Sequence, residues 1–473
     1  MTQIDAELRA DLATIDLAII GGGAAGVITA IHALAAAAQG QRIALIEPGE
    51  HIARGIAYAT TRPEHLLNVP AGRMSAFPEA PADFLDWLRT QHPQGTREEQ
   101  AEAFAPRRAY GDYLQQRLQE AQERSAATLL LLQTAVDVLQ PQDDGRLRLR
   151  LHDGRWLQAD AGVLAVGNSL RPLPGKGGEA LAPTQRVQAW DYPAVQAIGV
   201  DASVCIVGTG LSMADCVVTL AANGHRGPIH LLSRHGLLPL PHDHGAAVDF
   251  DVQALLSMGL RGRLRALRRH AREAVGARTP WQSVMDRIRP WGQALWQSLE
   301  DADQRRFLRH VVRYWDIHRH RIAEDVHGAV QAMQRSGQLQ VARGRLQRVE
   351  QASGGRVRVY AEGAHGSRVI DADVVINATG VETAASRLRA SLLQGLLADG
   401  VARPGPHGLG LDTDADGLLL SAQGTTWPQL SVVGSLRIGT LWESLAIPEL
   451  RGQAQLAARR QMARTGASSG PIA

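Results

Sequence analysis

Cysteine is scarce: Cys205 and Cys216 are the only two in 473 residues. No CxxC or CxxxxC pair exists, which excludes a dithiol relay and fits a reducing cytoplasm. An excess of charge of one sign is also lacking. Lys and Arg total 50 against 47 Asp and Glu, a formal net charge of +3, so no nucleic-acid partner is expected. Long apolar runs are absent too. The longest, Val27 to Ala38, is broken by Thr29 and His32 and is too short to span a bilayer, so no membrane partner is expected. Asp5, Glu7 and Asp11 precede any apolar run, unlike a signal peptide, which makes a cytoplasmic location the expectation. There is no nucleophile elbow, P-loop or kinase signature. His242 and His244 flank Asp243 in a Pro-rich loop, but no further ligand set at zinc-site spacing follows, so no metal is expected.

What is present is glycine, 48 residues of it, gathered in turns as many strand-to-helix junctions require. The length predicts two domains. Ile15 to Ile20 reads as a buried strand, Gly21 to Ala38 as a turn and Ala-rich helix, and Arg42 to Glu47 as the next strand. Residues 51–106 read as an insertion, followed by a helix bearing Tyr110, Leu114 and Leu118. Leu129–Leu132 and Leu147–Leu151 predict a small antiparallel sheet, and Ala161–Val166 a buried return strand. A second strand–helix–strand unit runs from Ser203 to Ser233, then helices from about 251 to 336, then a return strand at Asp373–Ala378. Ser431 to Gln461 reads as strand, turn and helix, with a loose polar tail beyond. The predicted class is α/β, two Rossmann-like dinucleotide-binding domains with a helical insertion. Expected boundaries are 1–195 for the first part of one domain, 196–345 for the other with its insertion near 245–335, and 346–473 for the returning part.

Gly21, Gly23 and Gly26 form GxGxxG between a strand and a helix. Gly21 permits the tight turn, Gly23 lets a diphosphate approach, and Gly26 lets the helix pack closely; Ala24 and Ala25 lie at the helix N-terminus, whose amides favour an anion. Glu47, ending the next strand, suits a ribose 2′-hydroxyl and disfavours a 2′-phosphate. The second unit repeats this with Gly208, Gly210, Leu211, Ser212 and Asp215, but Met213 stands where a third glycine would fall. Ser233 and Arg234 replace the acid, which favours NADPH over NADH.

With the return segment Val375–Gly380, these motifs resemble the two-dinucleotide-binding-domain flavoproteins, which include the class B and N-hydroxylating flavin monooxygenases. The blocks Gly55–Tyr58, His65–Ala71, Met74–Ala76, Pro106–Tyr113, Trp315–Arg321 and Trp442–Glu449 resemble bacterial FAD/NAD(P)-binding proteins of the YdhS type, over nearly the whole chain. The resemblance implies FAD in the first unit. It puts Arg54 at FAD phosphates, or else leaves it a solvated loop charge, and sets Asn68, Met74 and Ser75 near the flavin ring. Gly167 and Asn168, with Thr379 and Gly380, close the return strands. Gly434, Trp442 and Glu443 belong to a C-terminal turn directed at the flavin.

Arg261, Arg263, Arg265, Arg268, Arg269 and Arg272 crowd one stretch, and Arg306, Arg309 and Arg313 share a helical face by spacing, with Trp281, Trp291, Trp296 and Trp315 interleaved. Three readings fit this pattern: a solvated face over a Trp core, then a pocket for an anionic substrate with His318, Arg319, His320 and Arg321 as its clamp, and last a nucleic-acid or membrane surface, which the local cluster and near-neutral chain disfavour. The expected activity is oxidation of a small, anionic, nitrogen-containing molecule by molecular oxygen, with His65, Asn68, Ser75 and Arg319 as catalytic candidates. A reductase without oxygen insertion and a non-catalytic FAD-binding sensor are the rivals. Oligomeric state is open.

Overall fold

The computed structural model describes residues 13–364 and 366–468, so Asp5, Glu7 and Asp11 lie outside the described residues. The chain forms two units. One takes Met1–Ala59, Val69–Ser169 and Glu382–Ala473; the other takes Thr60–Asn68 and Leu170–Val381.

The first unit opens with β1 (Ala13–Ile20), α1 (Ala24–Ala36) and β2 (Arg42–Ile46). Leu17 to Ile20 is buried without alternation, the mark of a central parallel strand covered on both faces. β1 indeed pairs in parallel with β2 and with β6 (Trp156–Leu164). Between them come α2 (Asp83–Gln91), α3 (Arg107–Arg124), β3 (Thr128–Leu132), β4 (Val136–Pro141) and β5 (Leu147–Leu151). The expected small antiparallel sheet is half right. β5 pairs antiparallel with β4 and β6, but β3 joins β2 in parallel at the edge of the main sheet. A four-leucine run does not encode which neighbour it meets.

The second unit contains β7 (Arg186–Gln188), β8 (Val204–Val207), α4 (Leu211–Ala222) and β9 (Ile229–Ser233). An insertion follows with α5 (Leu260–Gly276) and α6 (Val312–Arg319), then α7 (Glu324–Arg335) and β10 (Leu339–Arg343). Next, β11 (Arg345–Gln351), β12 (Val357–Gly363) and β13 (Gly366–Ala372) form an antiparallel sheet. β14 (Val374–Asn377) then completes a parallel sheet in the order β10-β9-β8-β14-β7. Cys205 and Cys216 are buried and free.

The insertion has its own core of Val252, Leu255, Met285, Ile288 and Leu295, with Trp281, Trp291 and Trp315 packed against it. Arg263 is not on the solvated face. It is buried and donates to the carbonyls of Met258, Leu256 and Leu295 and to the Ser298 hydroxyl. The expected common face of Arg306, Arg309 and Arg313 is also corrected. A π-helical turn over Phe307–Val311 lies between α6 and the helix Asp301–Arg306, so α-helical spacing does not apply across it.

The chain returns to the first unit through α8 (Ser391–Ala398), β15 (Leu418–Leu420), β16 (Thr426–Val432) and α9 (Ile447–Ser468). β16 adds in parallel beside β6, and α9 packs on α1. Residues just past Gln461, expected as a loose tail, continue α9. The expected domain boundaries move as well, from 195/196 and 345/346 to 169/170 and 381/382. The reason is pairing: β7 and the β11–β13 sheet belong with the second unit, and so does the short segment 60–68. Among the described residues no helix is long and apolar enough to cross a membrane.

Candidate functional site

Each unit carries a glycine turn at the C-terminal ends of its parallel strands, where open α/β sheets receive ligands. The two turns are built alike. Gly21 and Gly208 both have φ +108, and a Cβ on either would collide with a return-strand carbonyl, Ala165 at 2.4 Å and Ala378 at 2.2 Å. The Gly21 amide donates to Ile46 O and that of Gly208 to Leu232 O, each at 2.8 Å. These glycines are fixed by the fold.

The next glycines differ in kind. Gly23 and Gly210 are the N-caps of α1 and α4, both extended, with no side-chain cap and no acid in the first helical turn. A Cβ at Gly23 would meet only Gly55, at 3.7 Å, and one at Gly210 nothing within 4 Å. The space beside them is therefore free while the amides of Ala24, Ala25, Leu211 and Ser212 begin uncapped helices. A diphosphate fits that donor set and that space. Gly26 is a packing glycine, since its Cβ would sit 1.7 Å from Gly21 O.

In the first unit, Glu47 accepts from the amides of Gly22 (2.6 Å) and Gly49 (2.9 Å). Both bonds orient a half-buried carboxylate that retains lone pairs for a ribose. Arg54 lies across α3, donating to Asp112 (2.5 Å), Gln115 (3.2 Å) and Arg108 O (3.0 Å). It thereby anchors the loop that sets Gly55 against Gly23. Met74 and Ser75 are buried, and the Ser75 hydroxyl closes a turn with Phe77, accepting from its amide at 3.0 Å. Tyr113 accepts from the Ala76 amide and donates to Asp83, while Arg451 donates to Ser75 O. None of these three supports was legible from spacing, because each comes from a distant element. Tyr110 is fully buried beside Tyr58, and its hydroxyl has no partner among the described residues. Gly167 (φ +72) and Asn168 are exposed after β6, and Ser435 donates to Gly167 O. Gly434 faces Ala25 at the start of α1, a Cβ there coming within 3.8 Å, so the C-terminal turn does approach the cradle. Trp442 adopts φ +60, unusual for a bulky residue, and Glu443 beside it is buried.

In the second unit, the Ser212 hydroxyl accepts from Trp190 at 3.0 Å. Ser233 is drawn into the turn, bonded to Thr209 at 2.9 Å and accepting from the Gly236 amide at 3.0 Å. Arg234 is exposed and has no ion pair among the described residues. Thr379 donates to Asn377 at 2.7 Å, and Gly380 has φ +83. These two close β14 of this unit, whereas Gly167 and Asn168 belong to the first.

The catalytic candidates separate. His65 is buried, with Nδ1 on Thr60 (2.7 Å) and Nε2 on Thr219 (2.8 Å) and Asp215 O (3.3 Å). With both nitrogens engaged it pins the 60–68 segment to α4. Asn68 accepts on its main-chain oxygen from His242 at 3.2 Å. Burial, followed by the charge of Arg321, pushes that imidazole down to about 4. Ser75 and Arg319 are both buried. The expected clamp at 318–321 is also split: His318 donates to Tyr314 O, while Arg321 is buried against Asp286. Among the described residues no cluster of three His, Cys, Asp or Glu could hold a metal.

Residues 18–169 match a family model described as FAD-NAD(P)-binding. No curated protein matches the chain. Among solved structures, the reduced ornithine hydroxylase of Pseudomonas aeruginosa is similar over 96% of this chain and 100% of its own, with 17% identity and a TM-score of 0.63. An ornithine N-hydroxylase of Kutzneria sp. 744, solved with reduced FAD, NADP+ and L-ornithine, covers 97% of this chain and 100% of its own (15% identity, TM-score 0.62). A bacillithiol disulfide reductase of Staphylococcus aureus covers 95% and 99% (12%, 0.55). The fold is therefore that of FAD- and NAD(P)-binding flavoproteins, two Rossmann-like sheets each with its own glycine cradle.

Proposed function

We propose that this chain is an FAD-dependent, NADPH-consuming monooxygenase that oxidises nitrogen in a small anionic substrate such as an amino acid. The observation that carries the reading is the pair of matched, open helix N-termini, one served by the Glu47 carboxylate and the other by the Arg234 guanidinium. The first suits the unsubstituted adenosine ribose of FAD, the second the 2′-phosphate of NADPH. The similar ornithine hydroxylases supply the reaction type and substrate class as an analogy of fold.

The chemistry FAD brings is hydride acceptance from NADPH, then delivery of two electrons to dioxygen, one oxygen atom entering the substrate and the other leaving as water. The protein's share is binding and orientation. The uncapped amides of Ala24 and Ala25 would hold diphosphate charge and Glu47 would hold the ribose, while Arg54 anchors the loop that seats Gly55 beside Gly23. Disulfide chemistry is disfavoured: burial pushes the Cys205 thiol up to about 12, and Cys216 is raised likewise.

Purified protein should be yellow, NADPH should bleach it anaerobically, and an amino acid from a substrate screen should couple oxygen uptake to an N-oxidised product. Oxygen uptake that yields only hydrogen peroxide with every compound would leave a reductase. That second reading gains from the engagement of both His65 nitrogens and the Ser75 hydroxyl in structure.

A further inference from the structure

Arg234 does not stand alone at the end of β9. Ser233 pairs with Arg343 in the parallel β9–β10 register, and the Gly344 amide donates to Ser233 O at 3.0 Å. The β10–β11 corner is thus stitched to the strand end, and its next residue is the exposed Arg345. Gly236, at φ +61, lets the stem of Arg343 lie against the same turn, since a Cβ there would fall 2.7 Å from Arg343 Cγ. From the other side, the Leu240 amide donates to Ile317 O at 3.4 Å, which brings α6 along the 236–240 loop. Arg313 lies one helical turn before Ile317. Two distant segments are thus held beside the turn that carries Arg234, and the charges of Arg313 and Arg345 both act on it.

We propose that Arg234, Arg313 and Arg345 together form the 2′-phosphate pocket that selects NADPH over NADH, a proposal resting on the NADPH reading above. Like charges drawn together repel, and with one carboxylate for three guanidinium groups a fold gains little from that arrangement until an anion arrives. Arg234 is held below its ordinary range first by partial burial, then by Arg313 and Arg345, and His235 is lowered by burial, then by Arg234 and Arg313. Asp316, 3.0 Å from Arg313, balances one of the three. Among the described residues Arg234 and Arg345 have no ion pair. A phosphate dianion offers three acceptor oxygens to three forked donors, the geometry guanidinium groups bind best. Its position after the second strand of the nucleotide unit is where the adenosine ribose falls in such folds.

The test is calorimetric binding to the FAD-loaded protein of adenosine 2′,5′-bisphosphate and of AMP, with R313Q, R345Q and R313K. Both positions are exposed, so folding should survive. The bisphosphate should bind the unaltered protein at least about tenfold tighter than AMP. Each Gln variant should weaken the bisphosphate by about 10- to 100-fold and leave AMP unchanged. R313K should fall between. Equal binding of bisphosphate and AMP by the unaltered protein overturns the proposal, as does unchanged or parallel loss of both ligands in R313Q and R345Q. If the bisphosphate arms behave as expected while NADPH fails to reduce the flavin, the pocket stands and the catalytic reading falls. If NADH and NADPH reduce it equally well and the bisphosphate has no advantage, the reverse holds.

Discussion

Glycines of one kind of motif have opposite duties. Gly26 is there for packing, because any Cβ would overlap the Gly21 carbonyl, whereas a Cβ at Gly23 would meet only Gly55, in ordinary contact, and one at Gly210 nothing. G26A should therefore destabilise the protein by at least ~1–3 kcal/mol, the usual cost of overpacking. G210A should leave the melting temperature unchanged yet weaken NADP+ binding about tenfold or more, by placing a methyl where a phosphate must approach. Thermal denaturation alongside NADP+ titration separates the two. Equal Tm losses in G26A and G210A would refute the division. Glycine duty of this kind was legible from the spacing GxGxxG, because the turn is local. The engagement of Ser233 was not. Its hydroxyl is taken up by Thr209 and the Gly236 amide, and nothing in the order Ser-Arg-His announces that.

At the level of elements, the short segment 60–68 is held by two histidines of different kinds. His65 fixes it to α4, and His242 of a Pro-rich loop bonds Asn68 O. The His242 imidazole is pushed down to about 4 by burial and by Arg321. An unfolded chain takes up this proton near pH 6.5, the folded one only near 4, so the neutral form favours the fold. That stability is full above about 6.5, falls as pH drops through the interval, and is lost by about 4, a total of roughly 3 kcal/mol. In H242N, urea denaturation between pH 7 and 5 should lack about 2 kcal/mol of the acid sensitivity seen in the unaltered protein. An unchanged slope would show that other groups govern it. Removing the other anchor, by H65A, should cost about 1–3 kcal/mol through unpaired Thr60 and Thr219 hydroxyls, while flavin bleaching per folded molecule stays the same. Loss of bleaching with intact stability would restore His65 to the chemistry.

For the whole molecule, the sequence makes the two nucleotide units and their order plain, since each is a compact run of strand, glycines, helix and strand. What it conceals is every decision made by distant pairing. β7 is three residues long and joins its sheet only through β14, far along the chain. Arg263 looks like one more surface cation until the carbonyls of residues 256, 258 and 295 converge on it. The arginine cluster is hidden for the same reason, as a π-helical turn resets the face on which Arg313 lies.

The division of the chain also bears on how it is made. The second unit has all its parts once Val381 has been synthesised, whereas the first still lacks β16 and the helix that covers α1. On the ribosome the later-starting unit is thus the earlier to be complete. The amino-terminal strands must wait, half-assembled with apolar surface bare, for the carboxyl end to arrive.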